Sequence, residues 1–291
     1  MPFQSAMLES GVRPKVLHVE QDRLVNFAEA TNDGNPAART GQVAPPLFAV
    51  VPMYRPMGRA IAAVTPEERI MYTLHAEQDM RFYAPIKPGM DLRAEAAPVG
   101  IEAKSSGTLV TIFGTVNDQS GERLCDQWIS VFIRGSGDTV SAGKSMPQRP
   151  VLDAQRSDVP SSSVRQKVDA DQTFRFAKAS GDPMAVHLDD EVARQYGLPG
   201  IICHGLCTMA FAGNAAVADL ASGNPDRMRR LAVRFAKPLL PDQVITTRFW
   251  LASVGDGVRT YVFDTVDESG ERVLTNGLVE VAELESALEK L

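Results

Sequence analysis

Asp182 and His187 stand five residues apart in "AKASGDPMAVHLDDEVARQYGLPGIICHGLC", the stretch from Ala177 to Cys207. A carboxyl group and an imidazole are side chains that move protons near neutral pH. Five residues is out of phase on a helix and puts the pair on opposite faces of a strand. Gly181 and Pro183 supply a loop that turns both side chains toward one point. Gly205, in "CHGLC", leads into an apolar helical stretch. Its N–H falls in the first turn, which has no intrahelical acceptor and carries the positive end of the dipole. A carbonyl oxygen placed there meets the donor that an enolate-like oxyanion needs. Acid, base and oxyanion donor within about 25 residues form a complete set for proton chemistry beside a carbonyl.

Each group also has a purely structural reading. Asp182 before Pro183 suits the start of a short helical turn, and His187 suits a buried ring satisfied by backbone. Asp189 suits the cap of "DEVARQYG", with Asp190 and Glu191 in its first turn and Gly197 as its stop.

The elements that must position these groups are spelled twice. "FAEATNDGNPAAR" from Phe27 aligns with "FAKASGDPMAVHL" from Phe176, with Asp33 opposite Asp182 and Ala38 opposite His187. At the same offset, Asp118, Ser120 and Gly121 match Asp267, Ser269 and Gly270 around two "SGER" turns. "MRFYAPIKPGMDL" from Met80 resembles "VRFAKPLLPDQVI" from Val233, pairing Arg81 with Arg234 and Phe82 with Phe235. Three collinear matches mean a duplicated unit. Each copy runs from a turn-rich segment into an apolar helix, expected over 45–61 and 204–223, and then into alternating strands that read as hairpins. The second helix is apolar on most of its circumference, as a helix enclosed by a sheet is. "RGSGDTVSAGKSMPQRPVLDAQRSDVPSSS", rich in Gly, Ser and Pro, connects the copies. The expected organisation is α+β: two antiparallel sheets, each wrapped around a central helix, paired edge to edge so that exposed strands are protected. The units are expected at 1–140 and 165–291, with a linker at 141–164.

Composition sets the outer limits. The 291 residues suffice for two cores, and 44% hydrophobic with 23% charged residues is ordinary for a globular chain. A net charge of −6 offers no basic face for nucleic acid or an anionic membrane. No apolar run is long enough to span a bilayer, and the start, "MPFQSAMLESGVRPK", lacks the apolar core of a secretory signal. Cys125, Cys203 and Cys207 form an odd set without metal-ligand spacing, which argues against a disulfide framework or zinc site. A reducing, cytoplasmic location is expected.

"FAKASGDPMAVHLDD…GLPGIICHGLC" resembles the signature of the MaoC-like, R-specific enoyl-thioester hydratases and (3R)-hydroxyacyl dehydratases. Phe176, Ser180, Gly181, Asp182, Val186, His187 and Asp189 carry the match, and "HGLCT" matches the following helix start. "APPLFAVV" and "TLHAEQDMRFYAPIKPG" resemble the degenerate first unit of two-repeat members, so the likeness covers nearly the whole chain. It implies a double hot-dog fold and hydration of trans-2-enoyl thioesters, or the reverse dehydration. Asp182 and His187 are then catalytic around one water, with roles unassigned, and the Gly205 N–H polarises the thioester oxygen. The substrate is an acyl-CoA or acyl-carrier-protein thioester, and no metal or redox cofactor is implied. The two units form a pseudo-dimer within the chain, and a further homodimer is left open. The family's Asn and Pro are Met184 and Ala185 here, while Asn35 and Pro36 persist in the first copy. Met184 has no side-chain donor, so either backbone N–H groups hold Asp182 or catalysis is impaired.

Two other functions fit the same fold: a thioesterase, which has no need of His187, and a non-catalytic acyl-binding protein. Arg227, Arg229, Arg230, Arg234 and Lys237 form a basic cluster in which Arg234 and Lys237 are candidates for a CoA phosphate or an acidic carrier. A solvated sheet edge is the default reading of that cluster. His18 and His75 read as structural, and His204 as a cap of the central helix.

Overall fold

The computed structural model describes residues 3–11, 14–135, 140–150, 157 and 159–284. The helices are α1 (Gln21–Ala30), α2 (Pro36–Arg39), α3 (Tyr54–Val64), α4 (Gln172–Ser180), α5 (Asp190–Gln195) and α6 (Gly205–Asp219). The strands of the first copy are β1 (Lys15–His18), β2 (Thr73–Phe82), β3 (Asp91–Lys104), β4 (Gly107–Asn117) and β5 (Arg123–Arg134). After the short β6 (Ala142–Gly143) come β7 (Ser162–Lys167), β8 (Met228–Phe235), β9 (Val244–Gly255), β10 (Val258–Val266) and β11 (Arg272–Ala282). They form a single sheet in the order β1-β3-β4-β5-β2-β8-β11-β10-β9-β7, with β6 on β3.

The two copies meet where β2 pairs antiparallel with β8, Glu77 opposite Arg234 and Arg81 opposite Arg230. The two expected sheets are therefore continuous through this seam, which leaves neither β2 nor β8 an open edge. Arg230 holds Asp79 across it in a bidentate pair at 2.7 and 2.9 Å, with Asp79 fully buried. The duplication extends to individual hydrogen bonds. Asp118 accepts from the N–H groups of Ser120 and Glu122, and Asp267 from those of Ser269 and Glu271, all at 2.8–2.9 Å. Gly121 and Gly270 close these turns at φ of +89° and +84°, where a Cβ is disfavoured.

Helix α6 is buried from Leu206 through Val217. Its length follows from an Ala-rich sequence without Pro, and its burial from apolar residues all round. The first copy departs from this pattern. Its expected helix at 45–61 is instead a 3-10 segment, Pro46–Val50, followed by a break and then α3 from Tyr54. Pro52 accounts for the break, because it has no N–H to donate back along a helix, while Val51 before it keeps helical angles, φ −60° and ψ −49°.

The copies also touch through α1 and α4. Phe27 and Phe176 pack at 5.8 Å between ring centroids, and Gln172 donates to the Ala30 carbonyl at 2.6 Å. Between the copies, Arg149 pairs with Glu77 and donates to the Asn276 carbonyl, while Trp250 donates to the Ser157 carbonyl at 3.0 Å. Residues 136–139, 151–156 and 158 of the expected connector lie outside the described residues. Among the described residues, no helix is long and apolar enough to cross a membrane.

Candidate active site

The site is built where α4 stops. Gly181 takes a left-handed conformation, φ +81°, and ends the helix. The chain then turns through Asp182 into a 3-10 turn at Ala185–His187. Asp189 caps α5 by accepting from Glu191 and Val192, and Asp190 accepts from the Ile201 N–H at 2.9 Å. This last bond draws the segment 200–204 back along the 3-10 turn. There the Ile202 carbonyl accepts from His187 Nδ1–H at 2.8 Å. A neutral imidazole with its proton on Nδ1 has its lone pair on Nε2, so His187 presents a base at that atom.

Asp182, His187 and His204 come together, with one ligand-type atom of each within 4.8 Å of the others. Asp182 and His187 are half-buried. Burial raises the Asp182 carboxyl, opposed by His187 and by the Met184 N–H, which donates to Oδ1 at 3.2 Å. Burial lowers the His187 imidazole, opposed by the Ile202 carbonyl and Asp182. Both shifts favour the uncharged forms, so the pair is suited to sharing one proton.

Asp182 is thus held by backbone N–H, one of the two readings that Met184 left open. The Met184 side chain itself is 57% exposed. His204 corrects the expectation of a capping role: it occupies the N-cap position of α6 but its side chain makes no cap bond. Its ring stacks on His187 at 3.8 Å, and Nε2–H donates to the Asp182 carbonyl at 3.3 Å. Burial pushes His204 down to about 3, so it packs as a neutral ring against His187. The Thr173 hydroxyl donates to the His187 carbonyl at 2.5 Å and completes the support.

Gly205 follows as the first residue of α6. A Cβ there would lie 3.0 Å from the Phe235 ring, so the close packing of that ring requires glycine. Arg234 and Lys237 bracket Phe235 on the exposed side, and Lys237 pairs with Glu271. The basic cluster as a whole is no sheet edge, since β8 runs through the middle of the sheet. Arg230 is spent on Asp79, and Arg227 donates to the Ala282 carbonyl at 2.7 Å. His18 is exposed and pairs with Asp91 at 2.7 Å. His75 is half-buried, lowered to about 4 by desolvation, and packs on Phe235 at 4.7 Å between ring centroids.

Two buried or half-buried imidazoles beside a carboxylate also suggest a metal centre, but the donor geometry does not suit one. The two rings lie 27° from parallel, so their in-plane lone pairs run side by side, and the Asp182 carbonyl already engages His204 Nε2.

In the first copy, Asp33 is buried and accepts from the Asn35 N–H at 2.9 Å, and Ala38 stands in the histidine place. Ala44 N–H bonds the Ile86 carbonyl there as Cys203 N–H bonds that of Leu239. That register puts Pro45 and Pro46 where His204 and Gly205 stand. The first copy therefore lacks the imidazole, and the position equivalent to Gly205 has no N–H. Sequence reading missed the carbonyl of Ile202, which no side-chain signal marks, and the stacking partner His204.

Residues 153–272 match the family described as MaoC like domain, and residues 39–135 the one described as MFE-2 hydratase 2 N-terminal domain. The 3-hydroxyacyl-thioester dehydratase Y of Mycobacterium tuberculosis is 30% identical over 71% of this chain and 72% of its own length. The mouse peroxisomal multifunctional enzyme type 2 is also 30% identical, over 72% of this chain. The match spans 27% of the length of that mouse enzyme. A MaoC-like dehydratase from Phytophthora capsici superposes with a TM-score of 0.82 at 23% identity, covering 97% of this chain and 98% of its own. The fold is a double hot-dog.

Proposed function

We propose an activity for this chain from one premise: it belongs to the MaoC-like dehydratase family. It catalyses the reversible hydration of a trans-2-enoyl thioester to the (3R)-3-hydroxyacyl thioester. The observation that carries this reading is the convergence of Asp182 and His187, with His187 Nε2 left open as an acceptor.

In the hydration direction, His187 Nε2 takes a proton from a water held between the two groups as the water oxygen adds to C3. The electron pair of the double bond moves toward C1 and builds negative charge on the thioester oxygen, which the Gly205 N–H stabilises. Asp182, its carboxyl raised by burial, gives its proton to C2. The proton on His187 then returns to Asp182, and dehydration runs the same steps backward. Oriented donors and acceptors of this kind supply rate through positioning and fixed electrostatics. Arg234 and Lys237, exposed beside Phe235, are placed to meet the phosphates of CoA or an acidic carrier. Residues 1–140 act as the non-catalytic unit and 165–291 as the catalytic one, joined by 141–164.

The test is an assay of enoyl-CoA conjugation and of free thiol, with short, medium and long (3R)- and (3S)-hydroxyacyl-CoA as substrates. Turnover of the (3R) series without thiol release supports the proposal. Thiol release from saturated acyl-CoA would replace it with a thioesterase, and binding without turnover in either direction with an acyl-binding protein.

A further inference from the structure

Tyr54 opens α3 in the first copy, yet its hydroxyl reaches the site of the second. Tyr54 Oη is buried and has no hydrogen-bond partner among the described residues. A buried donor without a partner is costly, and in a native fold it calls for a water or a ligand to satisfy it. Burial and the Asp182 carboxylate push the phenol further from ionisation, while the nearby Ser180 hydroxyl pulls the other way. Tyr54 is therefore a donor and not a base.

The same ring lines a small cavity together with Leu206, the residue after Gly205. Gln78 and Gln127 also face this cavity, but they are satisfied. Gln78 donates to Gln127 at 3.0 Å, and Gln127 donates to the Ala49 carbonyl at 2.7 Å. The remaining wall is apolar, including Val50, Met53 and Ile129. Of the side-chain polar atoms on this wall, Tyr54 Oη is the one without a partner among the described residues.

We propose that Tyr54 is a further substrate-touching residue of this site, its Oη–H donating to the C3 oxygen of the 3-hydroxyacyl thioester. The inference rests on the hydratase reading above. With the thioester oxygen at Gly205 and C3 at Asp182 and His187, the C3 oxygen is the acceptor closest to a donor beside Asp182. The enoyl thioester has no such oxygen, so the contact separates the two partners of the reaction.

The experiment uses the full chain with turnover blocked. Affinities of (3R)-3-hydroxyacyl-CoA and of saturated acyl-CoA of equal length are measured by calorimetry for Asp182→Asn, with and without Tyr54→Phe. The expected result is an affinity loss of about tenfold for the hydroxyacyl ligand and none for the saturated one. Equal losses, or none, overturn the role of Tyr54. If the otherwise wild-type Tyr54→Phe enzyme still turns over in that case, the hydratase reading stands without it. Failure of both thioesters to bind removes the two together. Tyr54→Phe deletes an unpaired hydroxyl without changing the ring, so the thermal midpoint is expected not to fall, and a fall would likewise count against the inference.

Discussion

His187 owes its basic nitrogen to a backbone carbonyl. Because Nδ1–H is committed to Ile202, proton transfer is confined to Nε2, and burial keeps that nitrogen free to lower pH than an exposed histidine would. The sign follows directly: activity needs the unprotonated form, and the folded pKa lies below 6.5. In a pH-rate profile, kcat/KM for hydration is expected to hold as pH falls through 6.5 and to decline only below it. A decline that begins above 6.5 would contradict this. At this scale the approach of Asp182 to His187 was legible because five residues across a Gly–Pro loop fit no regular element, and the place of Gly205 because it opens an apolar run. The Ile202 carbonyl was not, since every residue offers one. His204 was misread as a cap because an N-cap position is visible in sequence, whereas ring stacking on His187 is a contact made only in three dimensions.

The turn between α4 and α5 shows what an element contributes. Its left-handed Gly181, its capped α5 and the Asp190 bond to Ile201 fix the loop independently of any side chain at 184. Met184→Asn is therefore expected to change the hydration rate by no more than about threefold, since the Met184 N–H already holds Asp182. A large rise in rate would show that a side-chain amide is needed after all. The enclosed helix α6 was legible because its Ala-rich run has no proline and is apolar on most of its circumference. Its counterpart was read as one continuous helix because an apolar run does not distinguish 3-10 from α geometry, and Pro52 then splits it.

Across the whole molecule, the β2–β8 seam makes two copies into one sheet. Arg230 and Asp79 are its buried ion pair, and removing the cation leaves a fully buried carboxylate unpaired. Arg230→Ala is expected to cost about 3–5 kcal/mol, read as a lowered denaturant midpoint; a loss below about 1 kcal/mol would show that the pair is not what holds the seam. The basic cluster looked like a sheet edge in sequence because the partner of β8 lies some 150 residues away, and non-local pairing leaves no mark on a charge run. The duplication itself was plain, as was Ala38 in place of the imidazole; that Pro45 and Pro46 stand where His204 and Gly205 do emerged only from the register of the Ala44 and Cys203 hydrogen bonds. The account therefore rests on a single catalytic pair in the second copy. A double-mutant cycle in single-turnover hydration of an enoyl-CoA tests this most directly, using Asp182→Asn, His187→Gln and both together. Each single change is expected to lower the rate about 10²–10⁴-fold, and the double no further than the worse single, because the two groups act as a unit. Losses that multiply independently, or variants that keep the wild-type rate, would contradict it.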